Sequence, residues 1–121
     1  DVATFIRSRL GQRIAGALAA GSLYREKPFM MGLPADRVDT ALPEQELVLI
    51  QGIIDAWFVE TDDQIVIMDY KTDHVQNGRQ LADRYHVQLE YYQEALEKIT
   101  GKKVKEKIIY SFALGEEIRL S

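Results

Sequence analysis

Residues 52–71 read GIIDAWFVETDDQIVIMDYK, and this stretch decides the fold. Two runs rich in Ile, Val and aromatic residues flank the polar segment 60–64, a pattern that predicts two strands joined by a hairpin turn. Each run carries an aspartate where a buried strand ordinarily has none, Asp55 in the first and Asp69 in the second. Lys71 follows Asp69 by two residues, so we expect both side chains to leave the strand on the same face.

Charged groups on largely buried strands are costly unless they are paired or bind a metal. Hairpin pairing would bring Asp55 close to Asp69 and Lys71, and carboxylate oxygens with a backbone carbonyl suit Mg²⁺ or Mn²⁺. Such a cation activates water for phosphodiester hydrolysis, and Lys71 would orient that water or neutralise charge on the phosphoryl oxygens. The alternative is a structural ion pair between Asp69 and Lys71 at a strand end, and the spacing alone leaves both open.

Length and composition exclude several classes of protein. The chain has 121 residues, which suits a single domain over 1–121, with a helix at 1–20 and the core at 22–121. It contains no Cys, which excludes a disulfide framework, a thiolate zinc site and an iron–sulfur cluster. No apolar run approaches the roughly 20 residues of a membrane helix, and no signal peptide is visible, so we expect no membrane partner and a cytoplasmic location. The net charge of −4 argues against holding nucleic acid by bulk electrostatics.

The first half of the chain predicts a helix followed by strands. Apolar residues every four positions from Ile6 to Leu18 predict one helix over residues 2–20, already in progress at the first residues, as in a piece of a larger protein. A strand is expected over 23–31, with Pro28 at a sheet edge or at a bulge, and a loop over 32–45. Glu26 is the one acidic residue of the expected strand 23–31, and it is either a solvated edge residue or a further acidic group near the site. We expect Gly52 to mark a bulge or bend that turns Asp55 inward.

The second half contains the strongest helical pattern, over residues 80–99 and ending at Gly101. One face of this helix carries Leu81, Tyr85, Leu89, Tyr92, Leu96 and Ile99. Gln88 lies on or beside that stripe and needs hydrogen-bond partners. Strands are expected over 104–114 and 116–120. The order helix-strand-strand-strand-helix-strand predicts an α/β fold with a mixed central sheet flanked by helices.

Three ordered motifs carry a family resemblance: Gly52-Ile53-Ile54-Asp55, Asp69-Tyr70-Lys71-Thr72 and Gln88-x-x-x-Tyr92. Together they resemble the RecB-like branch of the PD-(D/E)xK nucleases, which have a restriction-endonuclease-like core. The flanking residues are similar to the nuclease domains of AddA-type helicase–nucleases, over about residue 26 to the end.

The resemblance implies a role for each matching residue. Asp55 and Asp69 would be metal ligands, with the backbone carbonyl of Tyr70 as a possible third, and Lys71 would be the catalytic lysine.

The helix motif, Gln88 and Tyr92, would line the site and position the scissile strand or the attacking water. Glu26 matches an acid that the family commonly retains on its first core strand. The family usually adds a His ligand from an upstream helix, which residues 2–20 lack. We expect that His to precede residue 1. His74 is expected in a solvated loop, and His86 is expected to flank the helix face.

The implied function is that of a Mg²⁺-dependent DNA nuclease domain in an ATP-dependent helicase/nuclease that processes double-strand break ends for recombinational repair. Its substrate would be a single strand of an unwound duplex, and its partner an AddB-like protein. The phosphate-binding pattern G-x-x-x-x-G-K-[ST] does not occur in these 121 residues, so the motor would lie elsewhere. The alternative is a catalytically impaired DNA- or protein-docking module of the same fold.

Overall fold

The computed structural model describes residues 2–43 and 45–120, with only the backbone of Val2 and Thr4. The elements run in the order α1 (Val2–Arg7), α2 (Arg9–Ala20), β1 (Leu23–Pro34), α3 (Ala35–Val38), β2 (Leu47–Val59), β3 (Ile65–Lys71), α4 (Gly78–Thr100), β4 (Val104–Ser111) and β5 (Glu116–Leu120). The five strands form one sheet in the order β1-β2-β3-β4-β5. Only β3 and β4 are parallel, joined through α4, and the other pairs are antiparallel. The predicted mixed α/β fold is confirmed.

Helices cover both faces of the sheet. Ile65 and Ile67 of β3 pack in the cluster that includes Leu89 of α4, whereas Val66 and Met68 pack in the cluster that includes Leu10 of α2. A strand that is buried on both faces has a continuous apolar sequence, and this is why residues 65–68 do not alternate with polar ones. No helix in the described part of the chain is long and apolar enough to cross a membrane.

The single N-terminal helix predicted over residues 2–20 is wrong. Ser8 interrupts it, because its Oγ accepts a hydrogen bond from the Gly11 amide at 2.9 Å and caps a new helix, α2. The break changes the phase of the apolar stripe, so Phe5 rather than Ile6 packs against the core. Leu18, also expected on the buried stripe, is exposed.

The loop predicted over residues 32–45 is wrong in its first part. Strand β1 continues to Pro34, and α3 follows directly. Met31, Leu33 and Ala35 are buried at alternate positions, and this burial outweighs the turn tendency of the intervening Gly32 and Pro34. The expected edge position of Pro28 is confirmed, because β1 pairs only with β2.

The irregularity expected at Gly52 lies instead at Asp55. Gly52 pairs with Phe29 in regular register, and a Cβ there would lie 2.8 Å from Cε1 of that ring. Asp55 lies opposite Glu26, which has a φ of 53°. Ile54 packs on the α4 side and Ala56 on the α2 side, so the strand changes faces at Asp55. The antiparallel pair of β1 and β2 is therefore kinked at Asp55.

Helix α4 confirms most of the predicted pattern. Asn77 caps its start by accepting from the Gln80 amide at 3.1 Å, and Gly101 ends it with a φ of 71°. Leu81, Leu89, Tyr92 and Leu96 are buried as expected. Ile99 is exposed at the C-terminal end of the helix, contrary to the expectation. Strand β4 ends at Ser111 rather than at residue 114, because a turn closed by the Gly115 amide on the Ser111 carbonyl follows.

Candidate active site

The candidate site lies where β2 and β3 separate. Their pairing runs from Val59–Ile65 to Ala56–Met68 and stops there. Beyond it, Asp55 Oδ2 accepts a hydrogen bond from the backbone amide of Tyr70 at 3.1 Å. The Asp55 carboxylate thus accepts the hydrogen bond that a backbone carbonyl of β2 would otherwise accept from Tyr70. This bond holds Asp55 at the end of β3, beside Asp69.

Asp69 is 2% exposed. Its Oδ2 lies 2.9 Å from Lys71 Nζ, and the two groups form an ion pair. Burial, together with the adjoining Asp55 carboxylate, raises the pKa of Asp69 to about 7, against the opposing effect of Lys71. Two adjoining carboxylates, one of them buried, form an oxygen-rich position that suits a hard divalent cation.

Lys71 is held from the other side by α4. Its Nζ lies 3.4 Å from Oε1 of Gln88 and 4.1 Å from the centroid of the Tyr85 ring. The Tyr85 hydroxyl donates to Asp73 Oδ2 at 2.7 Å, as does Arg84 Nη1. The helical period alone assigns Tyr85 only to the apolar stripe. The signal for its role is nevertheless in the sequence, because Tyr85 precedes Gln88 by three residues and therefore shares its helix face.

Tyr92 also faces the carboxylates. Burial, and then the negative charges of Asp69 and Asp55, raise the pKa of Tyr92 to about 12. The ring packs edge-on against Phe29, with centroids 5.4 Å apart. Tyr92 is thus a neutral, buried phenol beside two carboxylates.

Other predicted residues lie outside this contact network. Glu26 is exposed, with no hydrogen bond or ion pair to the described residues of the site, in agreement with the solvated-edge alternative. His74 and His86 are exposed too, as expected. Within residues 2–43 and 45–120, no group of three or more His, Asp or Glu side chains could hold a metal. The ligand role of the Tyr70 carbonyl stays a prediction.

The chain is similar to known proteins over most of its length. The A subunit of the ATP-dependent helicase/nuclease of Clostridium botulinum (strain Alaska E43) is 40% identical over 97% of this chain, which covers 10% of that protein. The protein of the same name from Thermoanaerobacter sp. (strain X514) is 46% identical over 92% of this chain and is covered to 9%. The chain therefore spans about a tenth of the length of these curated relatives. Residues 5–118 match the model of the PD-(D/E)XK nuclease superfamily. With this match and the expected mixed sheet, the chain belongs to the PD-(D/E)XK nuclease superfamily.

Proposed function

We propose that this chain is a metal-dependent DNA nuclease domain of an ATP-dependent helicase/nuclease. The observation that carries the proposal is the convergence of Asp55, Asp69 and Lys71 where β2 and β3 separate, with the Asp69 carboxylate buried. The structural-ion-pair alternative does not account for the second carboxylate, which is held in place by the Tyr70 amide.

The cation proposed is Mg²⁺, with Mn²⁺ as a substitute. Nucleases of this superfamily generally use divalent metals, and two carboxylates with a backbone carbonyl are oxygen donors of the kind that Mg²⁺ prefers. Asp55, Asp69 and the Tyr70 carbonyl would hold it, and when bound it would polarise the phosphodiester and acidify a bound water.

The remaining side chains act on substrate and water. Lys71 neutralises charge on the phosphoryl oxygens, at a position set by Gln88 and Tyr85. Gln88 has an amide that can orient the water or the scissile strand. Tyr92 closes the buried side of the site as a neutral group. Glu26 is proposed to contribute only to the surrounding charge, since it is exposed.

We infer the biological setting from the relatives. Because those relatives are named as one component of an ATP-dependent helicase/nuclease, they support a parent protein in which a motor unwinds a broken duplex and this domain cuts one released strand. In that setting residues 1–121 are one nuclease domain of a longer cytoplasmic protein, with an AddB-like protein as its partner. The role is end processing for recombinational repair.

A second candidate function is a docking module with an impaired site. It is favoured by one observation, that the described residues provide no third His, Asp or Glu ligand beside Asp55 and Asp69. Under this alternative the domain holds DNA or protein without cutting.

Cleavage of single-stranded DNA in Mn²⁺ separates the two functions. We expect the 121-residue chain to cut weakly, because it lacks the upstream His ligand. Asp69→Ala and Lys71→Met should abolish cutting, while Lys71→Met retains Mn²⁺ binding by calorimetry. The control is Asp83→Ala, an exposed aspartate of α4 paired only with Arg79 among the described residues. In the parent enzyme, Asp69→Ala should stop cleavage and leave ATP-driven unwinding nearly intact. Cleavage that survives Asp69→Ala rejects the nuclease assignment.

A further inference from the structure

A cavity of about 650 Å³ lies outside the carboxylate site, between the start of β1 and the C-terminal end of α4. It is lined by aromatic, apolar and basic side chains, among them Tyr24, Arg25, Lys27, Trp57, Ile99 and Lys102. We call it the β1 groove. Nothing in the proposed hydrolysis uses these residues, although the groove adjoins the strand segment that carries Asp55.

The floor of the β1 groove is an aromatic pair. Tyr24 and Trp57 are cross-strand partners, and their rings stack with centroids 4.3 Å apart and planes 17° from parallel. Tyr24 is 47% exposed, whereas Trp57 is 6% exposed. The indole Nε1–H of Trp57 is buried and has no acceptor among the described residues. A half-exposed tyrosine supported by a buried tryptophan is a rigid platform on which a planar ring can stack.

The groove is also locally basic. Lys27 forms no ion pair with any residue that the structure describes, and Lys102 pairs with Asp63 at 2.6 Å. In a chain with a net charge of −4, a cation without a carboxylate partner at this groove is a point of charge complementarity for an anion. An anionic ligand with flat rings matches both the charge and the platform.

The register of β1 and β2 places Lys27 at the level of the carboxylate site. Lys27 pairs with Ile54, the residue before Asp55. Trp57 follows Asp55 by two residues, which is about 7 Å along a strand. That separation is close to the distance between neighbouring nucleotides in an extended single strand.

We propose that the β1 groove binds single-stranded DNA next to the phosphate that is cut, with a base stacked on Tyr24 and a backbone phosphate on Lys27. This rests on the proposed nuclease function and names how its substrate is held. Aromatic stacking combined with basic side chains is the general means of binding single strands without sequence preference. Bases inside a duplex are already stacked on each other, so the platform selects an unpaired strand.

Trp57 is the only tryptophan in the sequence, so the tryptophan fluorescence of the chain comes from the groove alone. The 121-residue chain is titrated with a fluorescein-labelled oligothymidylate in EDTA, so that binding is measured without cleavage, by label anisotropy and by tryptophan emission. We expect the emission to change on binding. Tyr24→Leu should weaken binding about 10-fold, and Tyr24→Phe, which keeps the ring, should bind nearly as the unchanged chain does.

The charge is tested in the same assay. Lys27→Ala should weaken binding and reduce the slope of log affinity against log salt by about one. Arg7→Ala is the matched control, because Arg7 is an exposed cation on α1, whose Phe5 packs on the opposite face of the sheet. It should leave affinity and slope unchanged. Thermal melts confirm that the variants fold.

Two results overturn the proposal. One is oligonucleotide binding that leaves tryptophan emission unchanged and is insensitive to Tyr24→Leu and Lys27→Ala. The other is no binding at all. The Mn²⁺ cleavage assay keeps the two proposals apart. Groove-dependent binding without cleavage would reject the nuclease function alone, and cleavage unaffected by the groove variants would reject the groove alone.

Discussion

The ammonium group of Lys71 lies 4.1 Å from the centroid of the Tyr85 ring, which joins the end of β3 to the first turns of α4. The Tyr85 hydroxyl is itself fixed by a 2.7 Å hydrogen bond to Asp73. A lysine on a flexible four-carbon stem is thereby held between a ring, the Gln88 amide and the Asp69 carboxylate. Tyr85 is accordingly a positioning residue for Lys71.

This relationship predicts that Tyr85→Leu slows cleavage more than Tyr85→Phe does. A cation–π contact contributes about 0.5–2 kcal/mol, so losing the ring should lower the single-turnover rate roughly 2- to 30-fold with little change in substrate KM. Phe keeps the ring and loses only the Asp73 hydrogen bond. Measuring both rates in Mn²⁺ checks the prediction, and equal loss in the two variants would show that the Asp73 bond, not the ring, positions Lys71.

Asp69→Asn should leave the stability of the metal-free chain within about 1 kcal/mol of its original value, or raise it. The amide has nearly the shape of the carboxylate and carries no desolvated charge, while Lys71 keeps its contacts with Gln88 and Tyr85. Urea unfolding in EDTA measures this. A loss of about 3–5 kcal/mol would instead indicate a structural ion pair.

Gly52→Ala should destabilise the fold by about 1–3 kcal/mol through overpacking. Its Cβ would lie 2.8 Å from Cε1 of Phe29 and 3.3 Å from Cε1 of Tyr92. Because Tyr92 has to move, we expect slower cleavage as well. Gly32→Ala is the control on the same hairpin, since its Cβ would come no closer than 4.0 Å to Leu49. Urea unfolding of both variants is the measurement, and equal stability of the two would contradict the close-packing role of Gly52.

Lowering the pH should reduce the stability of the fold, because the Glu60 carboxylate becomes protonated. The Arg13 hydrogen bond is the main cause that lowers the pKa of Glu60 to about 2, from 4.5 in an unfolded chain. A depressed carboxylate pKa stabilises the fold above the unfolded value, and that contribution is lost as pH falls from about 4.5 towards 2. We expect Glu60→Gln to remove about 1–2 kcal/mol at pH 7, after allowance for partial solvent screening, and almost nothing at pH 2. Stability measured across that range would contradict this if the difference between the two proteins stayed constant.

The sequence by itself determined the candidate residues and most of the elements, although not the helix break at Ser8 or α3. The apolar runs around residues 60–64 predicted the β2–β3 hairpin, and the 3.6-residue period predicted α4. The candidate site residues could be recognised in the sequence because polar groups on buried elements require partners. They are Asp55, Asp69, Lys71, Gln88 and Tyr92. Their roles stay predictions, but their proximity follows from local patterns and from the parallel pairing of β3 with β4.

Only the tertiary structure decided how these elements join. Glu26 at positive φ opposite Asp55 makes the hairpin arm change faces, and no local periodicity signals this. The contact of Lys71 with Tyr85 and the stack of Tyr24 on Trp57 join residues far apart in the chain. The period of a strand or helix records which side of one element is buried. It does not record which residue of another element lies opposite, because that is set by packing over the whole domain.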